Sequence, residues 1–123
     1  MPKRILIVDD LDSTLEMLKE GLTSEGYDVE TINNSIKGLE MIKTDVYDIV
    51  LLDVKMPEMS GLEIISELKD TLFLRTTKII LMTASDVPSE DLTNLMKIGV
   101  AAWIRKPIRL EILLGRLKTL WKN

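Results

Sequence analysis

Apolar positions along this chain follow two alternating rhythms. The unbroken runs Ile5-Leu6-Ile7-Val8 and Ile49-Val50-Leu51-Leu52 have the signature of strands buried on both faces. Between such runs the spacing lengthens. Leu11, Leu15, Leu18 and Leu22 fall at i, i+4, i+7 and i+11, which predicts a first helix, with Gly26 as its stop. Residues 28–33 read as a half-polar second strand. Ile36, Leu39 and Ile42 predict the apolar face of a second helix. After the third strand, a loop holding Pro57 and Gly61 leads to a helix with Leu62, Ile65 and Leu68 inward and Ser60 as its cap. Residues 78–82 read as the fourth strand. Pro88 opens a fourth helix with Leu92, Leu95 and Met96 on one face and Gly99 at its end. Ala102-Trp103-Ile104 is the fifth strand, and Leu110, Leu113, Leu114, Leu117 and Leu120 mark the last helix.

Five strand–helix units in unbroken alternation predict an α/β domain: a five-stranded parallel sheet with helices on both faces. At 123 residues the chain fits one domain, 1–123, and no linker, low-complexity tract or repeat marks a second. Hydrophobic residues make up 46% and aromatics 4%, so the core is aliphatic and methionine-rich. The formal net charge of −4 argues against direct nucleic-acid binding. No apolar run approaches the roughly 20 residues of a membrane helix. The start Met1-Pro2-Lys3-Arg4 has the basic flank of a signal peptide, but Asp9 and Asp10 end the apolar run too early for one. A cytoplasmic protein is expected. Cys and His are both absent, which removes disulfides, thiolates and imidazole bases and ligands together. Chemistry falls to carboxylates, hydroxyls, lysine or a metal held by oxygen.

In open α/β sheets, ligands bind beyond the carboxyl ends of the strands. The first strand ends at Asp9-Asp10, the third at Asp53, the fourth at Thr83, and the fifth runs into Lys106. A parallel sheet places all of these on one edge. Three carboxylates a few ångströms apart repel by several kcal/mol at an effective dielectric of about 20. A hard cation relieves that repulsion, and Mg²⁺ suits carboxylates combined with water and phosphate oxygens. A carboxylate can also accept a phosphoryl group as nucleophile, with Mg²⁺ and Lys106 neutralising the transferring oxygens.

Taken in order, the pair Asp9-Asp10, the segment Asp53-Val54-Lys55-Met56-Pro57-Glu58-Met59-Ser60-Gly61, the pair Thr83-Ala84 and the pair Lys106-Pro107 resemble the receiver domains of two-component response regulators. The resemblance covers nearly the whole chain. It implies the flavodoxin-like (βα)5 receiver fold in a stand-alone, chemotaxis-regulator-like architecture, and a phosphoacceptor rather than a turnover enzyme. It assigns phosphorylation to Asp53. It assigns Mg²⁺ to Asp10, Asp53 and the Lys55 backbone carbonyl, with Asp9 acting mostly through water. Thr83 bonds the phosphoryl oxygen, Lys106 pairs with it, and the Lys106-Pro107 bond is cis. The donor is a phosphohistidine on a sensor histidine kinase or phosphotransfer protein. Thr83 moves inward on phosphorylation and the strand 5 aromatic, Trp103, turns with it. The face formed by the fourth helix, fifth strand and last helix then engages an output protein, an effector domain or a second phosphorylated copy.

Several positions depart from the common family pattern. Trp103 replaces Tyr or Phe, Ser60 stands where Asp is usual, and Arg105 stands where Thr is frequent. Lys55 and Ser85 fall at the positions that tune phosphoryl lifetime, Lys55 either shielding the acyl phosphate or contacting it. Arg105, Arg109, Arg116, Lys118 and Lys122 read as ordinary surface. So do Glu16, Glu20 and Glu25, while Asp12 and Ser13 read as the cap of the first helix.

Alternatives remain at this stage. Asp10-Leu11-Asp12-Ser13-Thr14 matches the Asp-x-Asp-x-Thr pattern of haloacid-dehalogenase-type phosphatases, in which Asp10 is the nucleophile. That family needs an acidic pair after its Lys, and only Glu111 follows Lys106. A receiver fold that signals without phosphorylation is another alternative. A third is a receiver cut from a longer regulator.

Overall fold

In a computed structural model, residues 2–84 and 87–121 are described, apart from the side chains of Arg75 and Trp121. Five strands, β1 (Arg4–Val8), β2 (Asp28–Ile32), β3 (Ile49–Asp53), β4 (Lys78–Thr83) and β5 (Ala102–Arg105), form one sheet in the order β2-β1-β3-β4-β5. Every pairing is parallel. The helices are α1 (Asp12–Ser24), α2 (Ser35–Thr44), α3 (Gly61–Leu68), a single turn α4 (Phe73–Thr76), α5 (Ser89–Lys97) and α6 (Leu110–Trp121). The alternation predicted from the sequence is the alternation observed, with α4 as an addition. Four residues are too few to display a helical period. Among the described residues no helix is long and apolar enough to cross a membrane.

The period of two in each strand divides the core into two layers. Ile5, Ile7, Ile49, Leu51, Ile80, Met82, Ala102 and Ile104 face one side, covered by Leu15, Leu18 and Leu22 of α1 and Leu113 and Leu117 of α6. Leu6, Val8, Val50, Leu52, Ile79 and Leu81 face the other, covered by Ile42 of α2 and by Ile64, Ile65 and Leu68 of α3. Burial on both faces is why the central strands read as apolar runs without alternation.

Four expected inward positions lie outside. Leu11 is 53% exposed, Ile36 56%, Leu62 42% and Met96 42%. Leu11 precedes α1 as its extended N-cap residue, so the helical period does not apply to it. In α2 the buried positions are Ser35, Gly38 and Ile42, because a small residue at 38 lets the helix settle against Val8 and Ile32. In α3, Ile64 takes the place expected for Leu62. Asp12 and Ser13 lie within α1 and make no side-chain cap. Instead Asp9 Oδ1 accepts from the Leu11 N–H at 2.9 Å, and Asp12 accepts from Asn33 Nδ2 at 3.1 Å. Gly26 and Gly99 end their helices at φ +96° and +120°, in the region that glycine tolerates best.

At the edge of the sheet opposite the strand carboxyl ends, Arg4 gathers the loops. Its guanidinium donates to Asp45 at 3.0 Å, Glu30 at 3.1 Å and the Val46 carbonyl at 2.7 Å, and it lies 4.9 Å from the Tyr47 ring centroid. Nothing in the linear pattern marks this hub.

The turn from β3 into α3 is tighter than loop length alone requires. The Gly61 N–H donates to the Val54 carbonyl at 2.8 Å, and a Cβ at Gly61 would sit 2.4 Å from the Asp53 carbonyl oxygen. Ser60 completes a capping box, accepting from the Glu63 N–H at 3.1 Å while its own N–H donates to Glu63 at 3.2 Å. Together these lock α3 against the end of β3. Gly61→Ala is therefore expected to destabilise the fold by about 1–3 kcal/mol through forced backbone displacement. Urea denaturation measures this, and an unchanged midpoint would show that the contact is relieved at no cost.

Candidate functional site

The sheet order turns at β1 and β3, the two strands flanking the crevice in which open α/β sheets bind ligands. Asp9 and Asp10 follow β1 directly, and Asp53 closes β3. Asp9 is fully buried, Asp53 is 4% exposed and Asp10 is exposed. One carboxylate oxygen from each lies within 4.8 Å of the other two. The ammonium of Lys106, just beyond β5, lies 3.0 Å from Asp9 Oδ2 and 3.2 Å from Asp53 Oδ2. The Lys106 N–H donates to the Thr83 carbonyl at 2.7 Å, which fixes the stem of the lysine to the end of β4. The Lys106-Pro107 peptide is cis.

Thr83 is fully buried. Its hydroxyl donates to the Ala84 carbonyl at 3.3 Å, a long bond that a better acceptor can displace. Asp10, Lys55, Met56, Pro57, Ser60, Leu62 and Val87 line an open cleft of about 520 Å³. Lys55 thus stands beside the carboxylates, while Ser85 lies outside the described residues. Trp103 is half-buried at the rim of the α5-side core.

Burial and the neighbouring charge of Asp9 push the Asp53 carboxyl up to about 6, against the opposing pull of Lys106 and a backbone hydrogen bond from Lys55. Burial alone would lower Lys106, yet Asp9 and Asp53 hold it above its ordinary value. Lys106 thus faces two buried carboxylates at once. Among the described residues, Asp9 Oδ2 is buried and receives no aligned hydrogen bond, and its ion pair is to Lys106. An all-oxygen set of this kind, under-supplied with positive charge, fits a hard divalent cation such as Mg²⁺.

The sequence-predicted residues Asp9, Asp10, Asp53, Thr83 and Lys106 thus share one edge of the sheet. Trp103 stands apart on β5. Arg105, read as ordinary surface, is not: its guanidinium donates to the carbonyls of Ala84 and Val87. Its register opposite Thr83 was available only from the pairing of β4 with β5. Lys122 lies outside the described residues.

A parallel (βα)5 sheet with an acidic triad and a lysine at its carboxyl edge defines the receiver class. The family model of the response regulator receiver domain matches residues 5–118, and the chain belongs to that family, which serves two-component signalling. Curated relatives include the response regulator MprA of Mycobacterium ulcerans, 38% identical over the whole of this chain and 52% of that protein. Another is the response regulator PleD of Caulobacter vibrioides, 36% identical over 98% of this chain and 26% of that protein. The chain spans about half the length of the MprA relatives and a quarter of PleD. Among solved structures, a CheY-like receiver domain protein of Methanospirillum hungatei is 34% identical with a TM-score of 0.84, covering 98% of this chain and 94% of that one. Chemotaxis protein CheY4 of Vibrio cholerae is 27% identical with a TM-score of 0.85, covering 97% and 98%.

The raised Asp53 carboxyl makes a pH prediction for metal-free protein. Between about pH 4 and 6 the unfolded chain has released a proton that folded Asp53 retains. Wild-type stability is therefore expected to fall as pH rises through that window. Asp53→Asn has no such titration. In chelator, its stability relative to wild type should rise by on the order of 1–2 kcal/mol between about pH 4 and 7. Denaturation at several pH values measures the difference, and a constant offset would show that Asp53 titrates normally.

Proposed function

We propose that residues 1–123 form a phosphoacceptor receiver domain in which Asp53 takes a phosphoryl group from a phosphohistidine on a sensor histidine kinase or phosphotransfer protein. The observation that carries this reading is the Lys106 ammonium spanning Asp9 and Asp53 beside Asp10. The residues do four things. Asp53 presents a carboxylate oxygen that forms the new O–P bond as the P–N bond of the donor breaks, and the donor ring, protonated on its other nitrogen, leaves as neutral imidazole. Asp10, Asp53 and the Lys55 backbone carbonyl would hold Mg²⁺, with Asp9 acting through water, and the ion would supply positive charge at the transferring oxygens. Lys106 supplies a second positive charge at the same oxygens. Thr83 turns its hydroxyl from Ala84 to the phosphoryl group.

Occupancy shifts a population between two arrangements of the β4 and β5 ends, and Trp103 reorients with it. The α5–β5–α6 face reads out the change to an output protein, to an effector domain in the same polypeptide, or by dimerisation. The protein acts as a switch that assists its own phosphorylation and dephosphorylation, not as a turnover hydrolase. Against Asp10 as a phosphatase nucleophile, Asp10 is the exposed member of the triad, Lys106 pairs with Asp9 and Asp53, and Asp12 is engaged by Asn33.

Incubation with Mg²⁺ and acetyl phosphate is expected to give a hydroxylamine-sensitive adduct on Asp53, mapped by mass spectrometry and absent from Asp53→Asn. An adduct on Asp10 with continuing phosphate release would move the protein to the phosphatase class. No adduct, with a competent receiver labelled in parallel, would favour a phosphorylation-independent module. Asp10→Ala should weaken Mg²⁺ binding by roughly tenfold or more, as loss of a direct carboxylate ligand does. Calorimetric titration reads this, and unchanged affinity removes Asp10 from the ligand set. Lys106→Ala and Thr83→Ala should still accept phosphoryl groups while losing much of its effect on partner binding.

A further inference from the structure

Arg105 closes β5 two residues after Trp103, so the two side chains share the α5 face of the sheet. Its guanidinium donates to the Ala84 carbonyl at 3.1 Å, to the Val87 carbonyl at 2.8 Å and to Ser89 Oγ at 3.1 Å. The same group lies 5.2 Å from the Trp103 ring centroid, within cation–π range. One side chain thus ties together the residue after Thr83, the approach to α5, the first residue of α5 and the face of the indole. A planar five-donor fork can make these contacts at once, whereas an ammonium cannot. The Ala84 carbonyl also accepts the Thr83 hydroxyl, so both halves of the proposed switch meet at Arg105.

We propose that Arg105 is a positioning residue, a latch that holds the end of β4 and Trp103 in the unphosphorylated arrangement and couples their release. This deepens the phosphoacceptor reading and rests on it. Movement of the Ala84 end of β4 strains the guanidinium contacts, and rotation of Trp103 breaks the stacking. Either motion weakens the grip on the other, which makes release a joint event. Arg105 touches none of the three carboxylates in the contacts described, so its effect passes through the equilibrium between arrangements. By linkage, a weaker latch makes the site a better receptor for whatever stabilises the switched arrangement.

The test uses Mg²⁺ and beryllofluoride as the phosphoryl mimic. The chain has two tryptophans, so titrations are followed by Trp103 fluorescence in a Trp121→Phe background. Arg105→Ala is expected to bind beryllofluoride roughly fivefold or more tightly than its parent, at the lower end of ordinary coupling, with Mg²⁺ affinity unchanged. Arg105→Lys should fall between the two, because a cation remains without the fork. Arg105→Thr, with the residue common in the family, should behave like Ala. A purely structural role for Arg105 would lower thermal stability and leave beryllofluoride affinity level or weaker in all three variants, which overturns the latch. Wild type that binds Mg²⁺ but takes up no beryllofluoride would overturn the phosphoacceptor reading and the latch with it. Normal uptake by wild type and equal uptake by the variants would overturn the latch alone.

Discussion

Crowding of negative charge at the carboxyl edge of the sheet is the constraint around which the rest is arranged. Asp9 and Asp53 are nearly inaccessible to water, where unpaired carboxylates are costly. One ammonium spans both without restoring Asp53 to an ordinary carboxyl. A domain of this size is stabilised by only about 5–15 kcal/mol. It tolerates the penalty because two well-filled aliphatic layers hold the strand ends in place. The charge imbalance leaves the site suited to a hard cation.

Rigidity and freedom are separated along the same edge. β3 and its exit are fixed by the contact of Gly61 with the Asp53 carbonyl and by the Ser60–Glu63 capping box, so Asp53 is held on backbone that cannot easily yield. β4 and β5 end differently. Thr83 keeps a long hydroxyl bond to Ala84, Trp103 is half-buried, and Arg105 bonds to Ala84, Val87 and Ser89 across the approach to α5. Arg4, at the opposite edge, shows the same residue type in a structural role, joining loops far from the carboxylates.

Family membership bounds what the chain does without completing the account. Its curated relatives are longer proteins, and the chain corresponds to about half of one and a quarter of another. Receiver domains pass a signal from histidine kinases to output domains, and the readout face proposed for this chain is that of α5, β5 and α6. Arg105 bonds both to the residue that follows β4 and to the first residue of α5.

The linear sequence determined the fold class because each element's period comes from local geometry: strands buried on both faces give apolar runs, and helices give recurrences at three and four residues. It also determined which residues reach the carboxyl edge of the sheet, because parallel strands carry their C-terminal neighbours to one side whatever the register. Asp9, Asp10, Asp53, Thr83 and Lys106 were legible for that reason. Tertiary structure decided the finer rotation of α2 and α3 against the sheet. Gly38 and Ile64 rather than Ile36 and Leu62 face the core, a choice made by the shape of the sheet beneath. It alone decided that Arg4 ties β2 to the loop after α2, and that Arg105 meets Ala84 and Val87 across a strand pairing. Long-range contacts of a charged side chain leave no period in the chain, so an arginine that joins elements and one that only faces water look alike until the strands are paired.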